Sequence, residues 1–269
     1  MPMTASLPMY NAPGMRAANT AFWTALSELL CEAGLDGVPE SLSFERPPVP
    51  DVIGDEVLFT QVCGYPLQTV YQGQYRLLAR PCYDAAGCTG STHSAFLVAR
   101  KSSPARRVAD LRGQRFALNS LHSNSGMNLP RRMLAEVAGG KPFFGEVIET
   151  GGHGASMRLV AEGGADCASI DCLTYAFSQD HQPELVEELR VIAQTPSSPT
   201  LPFVTSARTD DATVAVLQRC LYRLSAEPRF ASVLSGLRIA RIEPAPRAEY
   251  SALLDHARRA AELGYPVLV

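Results

Sequence analysis

From Ala109 to Ile170, short apolar runs alternate with amphipathic ones, and no other feature of the 269-residue sequence constrains the fold as much. Residues 115–119, 143–149 and 165–170 read as buried strands. The stretches between them carry helical patterns, one ending at Ala138 and one running over residues 156–162. Buried strands separated by helical stretches of about 10–15 residues pair mainly in parallel, with helices over both faces of the sheet. An α/β protein is expected.

A similar series opens the chain. "TASLPMY" (residues 4–10) reads as a short strand stopped by a Pro/Gly loop. Phe22, Ala25, Leu26, Leu29, Leu30 and Ala33 then recur at helical spacing, and Gly34 supplies the stop. "ERPPVPD" (residues 45–51) is a connector, because its prolines exclude both helix and central strand. Residues 57–62 form a strand that ends at Gly64-Tyr65-Pro66, and "YRLLAR" and "HSAFLVAR" read as two more. "LRVIAQTPSSPTLPFVTSA" gives two strands across a Pro/Ser link, and helices follow near residues 210–224 and 247–263. The order is one αβ series, a crossing strand near Ala95, a second series, and a return near Phe203. It fits two lobes joined by a two-stranded hinge, residues 1–95 plus 207–269 and residues 96–206.

Composition narrows the function. The formal charge is −3 and the basic residues are scattered, with no stripe of the kind that binds nucleic acid. "RKSSPARR" (residues 100–107) reads as a solvated loop. No run approaches the roughly 18 apolar residues of a membrane span, so no direct membrane insertion is expected. The N-terminal residues lack the charged and apolar regions of a secretory leader. A cytoplasmic location is therefore expected of the sequence as it stands, and a periplasmic one if a signal peptide has been trimmed. Cys82 and Cys88 bracket a short Gly-containing loop, either as two thiols in a turn or as a disulfide in an oxidising compartment. The five histidines are too dispersed for a zinc signature, and neither a metal nor another cofactor is expected.

Four places end a strand with unusual polarity, where ligands of open α/β sheets gather. In "FALNSLHSNSGMNLPRRML", Ser123, Asn124 and Ser125 lead through Gly126 toward a helix whose first turn contains Pro130. Such a loop either holds an oxyanion at the helix start or simply caps its own helix. His153, after Gly151-Gly152, either donates to an oxyanion or caps. Asp171 either accepts from a ligand amine or hydroxyl, or serves as an N-cap. Tyr10, two residues after Pro8, and Tyr65, just before Pro66, offer hydroxyl donors and are also ordinary loop residues.

Taken together these stretches resemble phosphate/phosphite/phosphonate ABC-transporter substrate-binding proteins. "DLRGQRFALNSLHSNSGMNLPRRML" is similar to the family's D-L-[KR]-G, apolar strand, N-S-T-S-G and P-R-x-M-L segment. "GGHGASMRLVAEGGADCASIDCLTYAF" resembles its S-H-x-A, V-x-x-G, A-D-x-x-x-x-D segment, and "LRVIAQTPSSPTLPFVTS" its returning strands. The likeness is strongest over residues 110–206 and weaker over "SLPMY" and "LFTQVCGYPL". The resemblance implies a two-lobed type II periplasmic-binding-protein fold that captures a small phosphonate- or phosphate-like anion, with an ABC-transporter permease as partner. It implies that Ser123, Asn124 and Ser125 grip the anion, with Asn124 where the family has Thr. His153 would be a further oxyanion donor, Tyr10 and Tyr65 would close from lobe one, and Asp171 would face the ligand's variable end.

The alternative is a cytoplasmic enzyme or ligand sensor on the same scaffold, similar to menaquinone- or thiamine-pathway enzymes, with Cys63, His153 and Asp171 as nucleophile or acid/base groups. The cysteine-rich motif of the thiamine enzyme is missing, and "SNSG" lacks the first glycine of a nucleophile elbow. A binding protein rather than an enzyme is expected.

Overall fold

A computed structural model describes residues 2–45 and 53–269. The proline connector therefore lies, except for Glu45, outside the described residues. The chain divides into two compact units. The first comprises Met1–Asp84, Thr89–Ser91 and Pro199–Tyr250, and the second Ala85–Cys88, Thr92–Ser198 and Ser251–Val269.

The first unit is built on a five-stranded sheet ordered Thr4–Ala5, Val57–Gln61, Phe203–Ser206, Tyr75–Tyr83, Ile239–Glu243. Against it lies the helix Arg16–Glu32, whose buried face carries Phe22, Trp23, Ala25, Leu26, Leu29 and Leu30, as the spacing requires. Phe22 meets Phe203 at 5.6 Å between ring centroids, and Phe59 meets Phe203 at 5.2 Å. Burying one such ring stabilises by roughly 1.5–3 kcal/mol, so this aromatic seam fixes helix to sheet. Gly34, at φ +77°, adopts the left-handed conformation that ends the helix. The edge strand Ile239–Glu243 escaped the sequence reading, although Ile239 and Ile242 are buried and Ala240 and Arg241 exposed.

The second unit holds another five-stranded sheet, ordered Leu189–Gln194, Ala95–Arg100, Cys167–Asp171, Arg115–Leu118, Glu146–Glu149. Its central strands are sealed: Ala95, Leu97, Val98, Cys167, Ala168 and Ile170 are fully buried.

Both sheets are mixed rather than mainly parallel, and the reason is connectivity. Ala95–Arg100 runs antiparallel to both of its neighbours, as does Phe203–Ser206. These are the crossing and returning strands, and each enters a sheet against the direction of the βα units already there. Thr4–Ala5 with Val57–Gln61, and Arg115–Leu118 with both of its neighbours, keep the expected parallel pairing. The C-terminal boundary also differs from expectation. The helix Leu253–Glu262 packs on Leu129–Ala138 of the second unit, where Asn128 Nδ2 donates to the Leu253 carbonyl at 3.1 Å and Arg131 to that of Pro266 at 2.8 Å.

Candidate functional site

Three parallel strands of the second unit, Arg115–Leu118, Glu146–Glu149 and Cys167–Asp171, deliver polar residues at their carboxyl ends. This is where an α/β sheet offers backbone donors and helix starts to a ligand. The first strand runs into Asn119 and the Ser/Asn loop. The second leads through Thr150, Gly151 and Gly152 to His153, the first residue of the helix His153–Ala161. Gly151 has φ +82°, a conformation that costs a side-chain-bearing residue about 1–2 kcal/mol.

The loop caps its own helix, one of the two roles open to it from the sequence. Ser123 caps its own helix, its Oγ accepting from the Gly126 N–H at 2.9 Å. Asn124–Asn128 then form a wide π-type turn, closed by the Asn128 N–H to the Ser123 carbonyl at 3.1 Å. The regular helix starts only at Leu129, with Pro130 in its first turn. Ser125 points elsewhere. Its Oγ lies 3.0 Å from His153 Nε2, while Ser169 Oγ pins its carbonyl at 2.7 Å. The Asn119 side-chain amide reaches the same imidazole nitrogen at 3.3 Å.

Asn119 was missed by the sequence reading, which took it as the last residue of a strand. The available signal was an amide directly after the apolar Phe116-Ala117-Leu118. Gly126 is tied to it: a Cβ there would fall 1.7 Å from Asn119 Oδ1. The glycine thus gives the Asn119 amide its room.

Asn124 is placed differently from the expected donor. Its side chain is buried, with Nδ2 donating to Ser198 Oγ at 2.8 Å and Oδ1 accepting from Asn128 Nδ2 at 3.0 Å. Both ends of the amide are thus engaged within the second unit. Asp171 is likewise occupied. Oδ1 accepts from the Leu173 and Thr174 N–H groups at 2.9 and 3.2 Å, capping the helix Cys172–His181. Oδ2 lies 2.9 Å from His93 Nδ1, and both side chains are sealed from solvent. Burial alone would raise the Asp171 carboxyl, but the His93 charge outweighs it and holds the group below the usual carboxylate range. Burial alone would lower His93, but Asp171 outweighs it in turn and holds the imidazole protonated.

The tyrosines belong to the first unit, each following one strand of its parallel pair. Tyr10 is buried edge-on to Tyr83 at 5.8 Å. Tyr65 is half-buried in the short helix Gly64–Gln68, for which Cys63 is the N-cap residue. Cys82 and Cys88 are not bridged. Among the described residues no group of three or more His, Cys, Asp or Glu side chains could hold a metal ion.

The sequence matches the family described as ABC transporter, phosphonate, periplasmic substrate-binding protein over residues 57–250. The chain belongs to that family. It is a periplasmic family of transporter solute-binding proteins rather than enzymes, so the roles weighed for Cys63, His153 and Asp171 as nucleophile or acid/base are set aside. Solved structures share the type II periplasmic-binding-protein fold. PhnD1 from Prochlorococcus marinus in complex with methylphosphonate is 15% identical with a TM-score of 0.73, covering 97% of this chain and 99% of that one. A binding protein component of an ABC phosphonate transporter from Pseudomonas aeruginosa is 17% identical with a TM-score of 0.72, covering 97% and 96%. XAC2383 from Xanthomonas citri, bound to ATP, is 14% identical with a TM-score of 0.68 and covers 98% of each chain. No curated protein matches the sequence. Among the described residues no helix is long and apolar enough to cross a membrane.

Proposed function

We propose that this chain captures a small phosphonate- or phosphate-like anion for an ABC transporter, and that Ser123, Ser125, His153 and Asn119 form the oxyanion cradle. The supporting observation is the convergence of Ser125 Oγ and the Asn119 amide on His153 Nε2, between two helix starts. With a proton on Nε2, the imidazole donates to Ser125 Oγ and leaves the serine hydrogen to point at a ligand oxygen, and the Asn119 Nδ2 hydrogens, which such an imidazole does not accept, turn to the ligand as well. Ser123 Oγ accepts from Gly126, so its hydrogen too is available to a guest. Unpaired N–H groups at the helix starts add donors without a counter-ion.

Tyr10 and Tyr65 are proposed as further hydroxyl donors to the ligand. Asn124 and Asp171 support the cradle rather than touch the ligand, because their polar atoms are already engaged. Hydrogen bonds to a charged guest contribute roughly 1.5–3 kcal/mol each, so four or five suffice for about micromolar affinity after ordering costs. We further propose that the protein works in the periplasm beside its permease.

Titration calorimetry with methylphosphonate, inorganic phosphate and acetate tests the reading. Saturable heat with methylphosphonate or phosphate, and none with acetate, is expected. Binding of acetate alone, or of none of the three, would overturn it.

A further inference from the structure

Cys88 and Cys172 are 84 positions apart in the sequence, yet their sulfur atoms lie 3.5 Å from one another. The backbone builds this approach through one buried serine. Ser94 Oγ donates to the Gly87 carbonyl at 2.9 Å, and the Cys172 N–H donates to the Ser94 carbonyl at 3.2 Å. Gly87 has φ +86°, and a Cβ there would meet Cys172 Cβ at 2.8 Å and Ser94 Oγ at 3.0 Å. Only glycine allows the segment before Cys88 to press this closely on Cys172.

Other thiols point at oxygen: Cys82 at Glu243, Cys167 at the Arg115 carbonyl and Cys220 at the Leu29 carbonyl. The Cys82–Cys88 pairing open to the sequence is thus replaced by a long-range pair.

We propose that Cys88 and Cys172 are a disulfide-forming pair, closed by exchange with an oxidised thiol donor. Cys88 is half-buried and Cys172 fully buried, so the donor meets Cys88 first. The Cys172 thiol is also held well above its ordinary range by Cys88 and by burial, which makes it the poorer first nucleophile.

The Cys88 thiol loses its proton and attacks one sulfur of the donor's disulfide. The other donor sulfur leaves as a thiolate and is protonated. Cys172 then loses its proton and attacks the Cys88 sulfur, and the donor's remaining sulfur departs as a second thiol. The two cysteines give up two hydrogens and two electrons, and the donor disulfide takes them up. Bond formation draws the sulfurs in from 3.5 Å to about 2.05 Å. The family's periplasmic location is a compartment in which such bonds persist.

The test exposes the full chain to oxidised glutathione, blocks remaining thiols, and maps linkages by non-reducing peptide mass spectrometry. Fragmentation between Tyr83 and Asp84 separates Cys82 from Cys88. A Cys88–Cys172 link with the mass loss of two hydrogens is expected, reversible by dithiothreitol and retained in Cys82→Ser. In Cys172→Ser the reaction should stop at a glutathione adduct on Cys88. A Cys82–Cys88 link, a lasting adduct on Cys88 of the unsubstituted chain, or two thiols still open to blocking would each overturn the proposal. None of these outcomes depends on phosphonate binding.

Discussion

His93 Nδ1 and Asp171 Oδ2 lie 2.9 Å apart, sealed in the second unit at the point where its crossing strand begins and its central strand ends. The two groups stabilise each other over a defined pH range. His93 is raised, so its contribution is full below an ordinary histidine pKa of about 6.5 and is lost as pH climbs through the raised value. Asp171 is lowered, so its contribution is full above about 3.9 and is lost as pH falls through the depressed value. Removing the imidazole strands a buried carboxylate. His93→Ala should therefore cost about 3–5 kcal/mol in urea denaturation at neutral pH. The alkaline limb of its stability profile should also flatten relative to the unsubstituted protein.

Ser125→Ala removes the hydroxyl at His153 and should weaken methylphosphonate binding by about tenfold or more, read by calorimetry. Asn119→Ala acts on the same nitrogen. The double substitution should therefore cost less than the sum of the two single losses. Strict additivity would show that the two side chains work separately.

Gly126→Ala places a methyl group 1.7 Å from Asn119 Oδ1. The amide is the end of a side chain and can swing aside, so the protein should fold, with a loss of about 1–3 kcal/mol. The amide then leaves His153, and affinity should fall together with stability. A melting curve and a binding isotherm on the same sample check both.

Asn124→Ala should separate architecture from binding. It leaves Ser198 Oγ without its amide donor and Asn128 Nδ2 with the Leu253 carbonyl alone, costing about 1–3 kcal/mol in chemical denaturation. Once folding is saturated, the affinity of the remaining native protein should be nearly unchanged.

Tyr10→Phe keeps the ring against Tyr83 and removes only the hydroxyl. If Tyr10 and Tyr65 contribute donors, each Tyr→Phe change should weaken methylphosphonate binding by about 2–10-fold, as for one neutral hydrogen bond. Melting temperatures should stay close to the unsubstituted value.

The sequence made the second unit's strand ends legible because each is a local event, an apolar run stopping at small polar residues. Ser123, Ser125 and His153 therefore stand out as candidates in the sequence, and the late onset of the helix can be read from Pro130. The N-cap role of Asp171 was legible, but its ion pair was not. Its partner His93 is 78 positions away, at the head of a stretch that read as strand, and only the register Ala95 to Asp171 brings the two together. The anchoring of Asn124 was hidden for a similar reason, since Ser198 lies 74 residues downstream. The mixed pairing of the sheets was hidden because periodicity reports burial and not direction.

The position of Phe203–Ser206 has a consequence for synthesis. That strand lies between Val57–Gln61 and Tyr75–Tyr83, so those two never pair with each other. All five strands of the second sheet are contained in residues 95–194, while the first waits for residue 206 to gain its middle and for residue 243 to gain its edge. A nascent chain can thus complete the second sheet while strands of the first still have open edges, the state most exposed to mispairing.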